Sequence, residues 1–225
     1  MNIVSGRTPK SFRIGAAAFA GFLFIAAAWI VAAELARASV PFFLTASDIR
    51  DASTKSTTAA TAAQIGWLRG DLWAEYALLL DSSALSDNAP LPSDNKAESK
   101  SAIALAAAPY DARLWLLLSA LNAKLGWKDT KSLSQLKMSY YTAPNDIRLF
   151  PMRLAVSMQP QAVDDEELRT LLGHEIRTIV TRRRELKPLL ARAYRDTSPS
   201  GRQFVEEQLA GLDDAFLKEL RAINH

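Results

Sequence analysis

The stretch APYDARLW at residues 108–115 returns as APNDIRLF at residues 143–150, a spacing of 35 residues. The shared pattern is A-P-x-D-x-R-L-aromatic, and each position has a physical meaning. Proline cannot continue the helix before it, because it lacks an N–H and its ring clashes with the preceding turn. The aspartate two residues later, Asp111 or Asp146, can accept the free backbone N–H groups that open the next helix. Each copy therefore reads as a junction between two helices. A weaker copy without the proline precedes them, where Gly70-Asp71-Leu72-Trp73 opens a helix running through Tyr76 and Leu80. Its Trp73 lies 42 residues before Trp115, and the seven extra residues fit in the Ser, Asp, Asn and Pro-rich stretch 86–95, which reads as a solvated loop.

The rest of the composition agrees with a helical reading. Alanine and leucine dominate, glycine and proline are modest, and alternating runs of strand-favouring residues are missing, so the chain is expected to be all-α. Its 225 residues accommodate one N-terminal anchor and one helical domain of ordinary size. Leu114, Trp115, Leu117, Leu118 and Leu121 read as core, since exposing side chains of that size to water is costly.

A period near 34, helical pairs, an early aromatic and a closing proline resemble the tetratricopeptide repeat (TPR) family. In that register Trp73, Trp115 and Phe150 take the early aromatic position, and Pro109 and Pro144 take the closing proline. The resemblance covers residues 61–160. Ser119 and Leu154 stand where that family usually has a small residue, and Pro151 falls inside the third copy's first helix, where it can instead start a shorter one. The resemblance implies a concave, peptide-gripping surface carrying Asp71, Arg113, Leu116, Lys124 and Arg148. Arg113 and Arg148 are then the candidates to hold a partner's carboxylate through two hydrogen bonds. The competing reading pairs each locally with Asp111 or Asp146, and an ordinary antiparallel bundle competes with the repeat itself.

Upstream, residues 14–33 read IGAAAFAGFLFIAAAWIVAA, 20 residues without a charge. As a helix this spans about 30 Å, the hydrocarbon thickness of a bilayer. The net charge of +3 belongs to the tail before it: removing Arg7, Lys10 and Arg13 from the 27 basic residues leaves 24 against 24 acidic ones. General nucleic-acid binding is thus not expected, and the positive-inside rule keeps residues 1–13 cytoplasmic and exports the chain beyond the span. Trp29 sits where interfacial anchors lie. Ala36-Arg37-Ala38 also has the form a signal peptidase reads, so cleavage after Ala38 competes with a retained signal-anchor. Residues 34–60 read as a juxtamembrane segment. Ala17 and Gly21, and then Ala28 and Ala32, are pairs of small residues four apart, which suit a close helix neighbour or a plain tether.

Beyond residue 160 the 35-residue signature ends, and residues 161–225 read as a helical cap. Asp164 to Glu167 open a helix whose Leu168, Leu171, Leu172, Ile176, Ile179 and Val180 form an apolar stripe. Further helices are expected at Pro188–Asp196 and Pro199–Arg221, with Ser198 as a cap. Between residues 177 and 195 seven basic side chains, Arg177, Arg182, Arg183, Arg184, Lys187, Arg192 and Arg195, face Glu185 alone. They suit an anionic lipid, a polysaccharide or an acidic protein, or simply a solvated helix face.

A search for chemistry yields little. There is no cysteine, and no phosphate-cradling glycine run or nucleophile elbow. His174-Glu175 begins like a zinc-protease helix, but the second histidine is missing and His225 is the only other. No catalytic residue, cofactor or metal site is assigned, and Glu75, Glu175 and Glu185 have no local context that distinguishes them. The expectation is a bacterial inner-membrane protein whose periplasmic domain binds a protein partner, within an envelope or polysaccharide-handling assembly. Alanine richness and the lack of N-x-S/T acceptors support the bacterial assignment. The alternative is a tethered envelope enzyme cutting glycans with carboxylates.

Overall fold

At both A-P-x-D junctions the chain does what the sequence demands. Asp111 Oδ1 accepts from the Arg113 N–H at 3.0 Å, and Asp146 Oδ1 accepts from the Arg148 N–H at 3.1 Å. The preceding helices end at Ala107 and Thr142, in each case just before the alanine that precedes the proline.

The computed structural model describes residues 10–37, 52–66, 69–85, 96–124 and 130–223. Among them the chain is all-α, with twelve α-helices, two 3-10 turns and no strand. The helices are α1 (Lys10–Leu35), α2 (Ala52–Ile65), α3 (Gly70–Leu85), α4 (Lys96–Ala107), α5 (Ala112–Lys124), α6 (Thr130–Thr142), α7 (Phe150–Ser157), α8 (Pro160–Val163), α9 (Glu166–Arg182), α10 (Lys187–Asp196), α11 (Pro199–Leu209) and α12 (Asp214–Ile223). The expected loop 86–95, the signal-peptidase position Ala38, Arg7 and His225 lie outside the described residues.

α1 is long and apolar enough to cross a membrane, from Phe12 to Leu35, with its Phe, Leu and Ile side chains turned outward. Downstream, each helix packs chiefly on its near neighbours: α3 on α2, α4 and α5; α5 on α6 and α7; α6 on α7 and α9. The interior divides accordingly. Ala74, Ala77, Leu78, Ala104, Leu114, Leu117 and Leu121 join α3, α4 and α5. Ala112, Leu116, Leu136, Tyr140, Leu149 and Leu168 carry the core on through α5, α6 and α9. The C-terminal core is larger-grained, with Phe150, Leu154, Ile176, Ile179, Leu190, Tyr194, Phe204, Phe216 and Leu220.

The third copy departs from the first two. Pro151 sits in the first turn of α7, which lasts only eight residues before Met158 ends it, and Pro160 starts the four-residue α8. A single helix over Pro199–Arg221 is not formed either. Gly211 adopts φ 73° between α11 and α12, a left-handed conformation that ends a helix readily at glycine. Asp165 and Ser198 cap α9 and α11, accepting from the N–H groups of Leu168 at 3.0 Å and Gly201 at 3.2 Å.

The end of α1 is built into this array. Ala33 is wholly buried against Ala62, Ala63 and Leu72, with Ala36 packed beside them. Trp29 Nε1 donates to the Ile65 carbonyl at 2.6 Å.

Candidate functional site

The Asp–Arg pairs of the two junctions are closed locally. Arg113 Nε and Nη2 reach the two oxygens of Asp111 at 3.0 and 2.6 Å, and Arg148 engages Asp146 in the same way at 2.9 and 2.8 Å. The Arg148 guanidinium holds the Asp146 carboxyl below its ordinary range. The fork that would take a partner's carboxylate is therefore already in use at both positions. Leu116 is 0% exposed and offers no surface to a partner. Asp71 is exposed and pairs with Arg69 at 2.6 Å. Lys124 ends α5, and its side chain lies outside the described ones.

The arginine-rich stretch is divided by the fold. Lys187 is neutralised by Asp213 at 2.6 Å, and Arg183 approaches Glu185 at 3.7 Å. Arg182, Arg184 and Arg195 are exposed. Arg177 lines one groove with Arg169, Thr170, His174, Phe204 and Gln208, a space of about 400 Å³ between α9 and α11. Arg192 lines another of about 320 Å³ between α7 and α10, over Leu154, Met158 and Leu189. Both grooves are open to solvent, and the first is the more polar.

The residue that no local pattern marked is Glu175. It projects from α9 into the interior, 3% exposed, and accepts from Tyr140 Oη at 2.6 Å through Oε2, while Oε1 meets no hydrogen-bond partner. Tyr140 also lies 3.2 Å from Ser157 Oγ, and its ring is covered by the Arg153 guanidinium at 4.4 Å from the centroid. Arg153 in turn closes the C-terminal end of α6, where Nη2 donates to the carbonyl oxygens of Ser139 and, at 2.9 Å, Ala143. Its Nε reaches Ser139 Oγ at 3.3 Å, and Arg153 is itself 0% exposed.

Burial governs the electrostatics of this cluster. It pushes the Glu175 carboxyl up to about 7, against the Tyr140 hydrogen bond and the Arg153 charge, which both favour the anion. Burial likewise raises the Tyr140 phenol, with the nearby Glu175 adding to it, and lowers the Arg153 guanidinium. Neither Glu175 nor Tyr140 borders the two grooves, and the cluster joins α6, α7 and α9. A partial sequence signal did exist: Glu175 lies beside Ile176 and between Leu172 and Ile179, close to the apolar stripe. His174 faces solvent instead, and no cluster of metal-ligating side chains occurs among the described residues.

Comparison with protein-family models, with curated proteins and with solved structures gave no match.

Proposed function

We propose that this chain is a single-pass, membrane-anchored module whose TPR-like domain stands outside the cytoplasm and binds a partner protein of the bacterial envelope. The observation that carries this reading is the order of packing from α3 to α7, with two junctions of identical Asp–Arg geometry. α3 and α5 each lean on the next two helices, as in arrays whose stacked units build an extended binding surface. The positive charges of Arg7, Lys10 and Arg13 ahead of the apolar part of α1 support a cytoplasmic N-terminus, and hence a periplasmic domain in an inner-membrane protein. The polar groove between α9 and α11 is the surface assigned to that partner: Arg177 lines it as the charged contact for an acidic group, while Arg169 beside it is held by Glu207 at 3.2 Å and Glu166 shares the lining.

The test is capture from native membranes. Full-length chain carrying a photo-crosslinker at Thr170, on the rim of that groove, should enrich a defined envelope protein, and Arg177→Glu should reduce that enrichment about tenfold or more. A crosslinked set identical to that of α1 alone would remove the binding reading.

A further inference from the structure

The end of α1 carries more than membrane anchoring requires. A leader that is cut away, or a tether that merely holds a domain nearby, has no need to enter the domain's interior. Here Ala33 is 0% exposed beneath Ala62, Ala63 and Leu72. The junction is tight enough that a Cβ added to Gly66 would lie 3.4 Å from the Ala33 Cβ and 2.4 Å from Leu72 Cδ1.

Above this apolar contact stands a ring of five charges. Arg37 Nε donates to both oxygens of Glu75 at 2.9 and 3.1 Å, and its Nη1 reaches Glu34 at 3.1 Å. Arg69 bridges Glu34 at 2.7 Å and Asp71 at 2.6 Å. Three carboxylates and two guanidinium groups, drawn from α1, α3 and the turns beside them, thus interlock where the apolar helix ends. Networks of this kind hold orientation better than isolated surface pairs do.

The Trp29 hydrogen bond sets the depth. Trp29 Nε1 meets the Ile65 carbonyl at the C-terminal end of α2, so that end of α2 lies level with Trp29. From Arg13 to Trp29 the helix rises about 24 Å, which spans a hydrocarbon core of about 30 Å once the Arg13 stem reaches out to the headgroups. Tryptophan favours the boundary between headgroups and acyl chains, where its ring is apolar and its N–H can be bonded. The lipid-buried part of α1 then ends near Trp29 on the face toward α2, where Ala33, Ala36 and Arg37 meet the domain, while Ile30, Val31 and Leu35 stay turned outward.

We infer that the anchor is retained in the mature protein, and that its last two turns form one rigid unit with α2 and the start of α3, seating the base of the domain in the headgroup layer. This rests on reading α1 as a membrane helix and is independent of the partner-binding reading. Cleavage after Ala38 would strip Ala33 and Arg37 from this unit. It would also require the peptidase to open a stretch in which the Ala36 N–H still bonds the Ala32 carbonyl at 3.1 Å.

The chain has no cysteine, so an introduced pair supplies the only thiols. In native membranes, Ala33→Cys with Gly66→Cys should oxidise under copper phenanthroline, because the Cβ separation is near the disulfide range of about 3.5–4.5 Å. Trypsin should then release residues 14–37 joined to residues 56–69. Phe24→Cys with Gly66→Cys, in which the first position points outward, should give at least tenfold less of the corresponding product. Since Gly66→Cys also crowds Leu72, the unaltered chain is read as well. Its intact mass should include residues 1–38, and in lipid nanodiscs Glu75→Gln should speed amide exchange in residues 30–37 and 62–66 about fivefold, leaving residues 166–182 unchanged.

A mature chain beginning at residue 39 overturns the inference, as does a chain whose cross-link and exchange match the controls. Alkaline-carbonate extraction separates the two layers. Release of the chain removes the membrane-helix reading itself, whereas retention with neither the cross-link nor the faster exchange of Glu75→Gln removes only the seating.

Discussion

Glu175 shows how much one buried carboxyl can weigh. In the fold it keeps its proton up to about 7, against 4.5 ordinarily, so its contribution to stability is complete below about pH 4.5 and is lost as pH rises to about 7. The difference amounts to about 3 kcal/mol by the usual conversion of pKa to free energy. Glu175→Gln removes the titration, and paired denaturant melts of the full chain in detergent should find the variant gaining about 2.5 kcal/mol on wild type between pH 5 and pH 8, since part of the change is already complete at pH 5. An equal offset at both pH values would contradict the burial argument. Tyr140→Phe deletes the hydrogen-bond donor to Glu175, and the same melts should register a loss of about 1–3 kcal/mol at pH 8. At the junctions, Asp146→Ala removes both a cap and the Arg148 partner, for a cost of about 1 kcal/mol. The Asp–Arg pairing was legible as one of two readings, because side chains two residues apart at a helix start can reach each other. Glu175 was not, since only the approach of α6 and α7 makes its position interior.

Among the elements, those with a strong local stop or start followed the sequence closely. Pro109 and Pro144 separate α4 from α5 and α6 from α7, Asp165 begins α9, and Pro199 opens α11 behind its Ser198 cap. The apolar stripe of α9 is buried at Leu168, Leu172, Ile176, Ile179 and Val180 and only partly so at Leu171. The break at Gly211 is a different case. A lone glycine inside a helical pattern is compatible with continuation, and the decisive factor is that Phe216, Leu217 and Leu220 must turn back onto the core shared with Phe204 and Leu209. Gly211→Ala places a Cβ in the left-handed region and should lower stability by about 1–2 kcal/mol, measured by thermal melts. Because a Cβ there would meet nothing within 4 Å, the loss is one of backbone conformation rather than packing. α7 takes the shorter form that Pro151 offered as one of two readings, opening at Phe150 with the proline in its first turn, while the separate turn of α8 follows from Pro160, whose role only the packing of Ala162 and Val163 makes evident.

For the whole molecule, the grain of the core changes from one end to the other. Among its described side chains α2 buries only Ala59, Ala62 and Ala63, whereas α9 to α12 bury Phe, Tyr, Leu and Ile side chains. Hydrophobic stabilisation follows apolar area, so the array should open from its N-terminal end. Hydrogen exchange on the full chain in nanodiscs should find α2 and α4 exchanging at least tenfold faster than α9, and uniform protection would contradict a nearest-neighbour array. The sequence by itself determined the helical class, the one apolar helix able to span a bilayer and the places where proline and aspartate divide helix from helix, because these depend on interactions within a few residues of each other. Only the tertiary structure decided that the basic stretch is split between two grooves, that Glu175 is interior and that Ala33 and Arg37 enter the domain. Each of these depends on which distant side chain comes within a few ångströms, and no spacing along the chain encodes that.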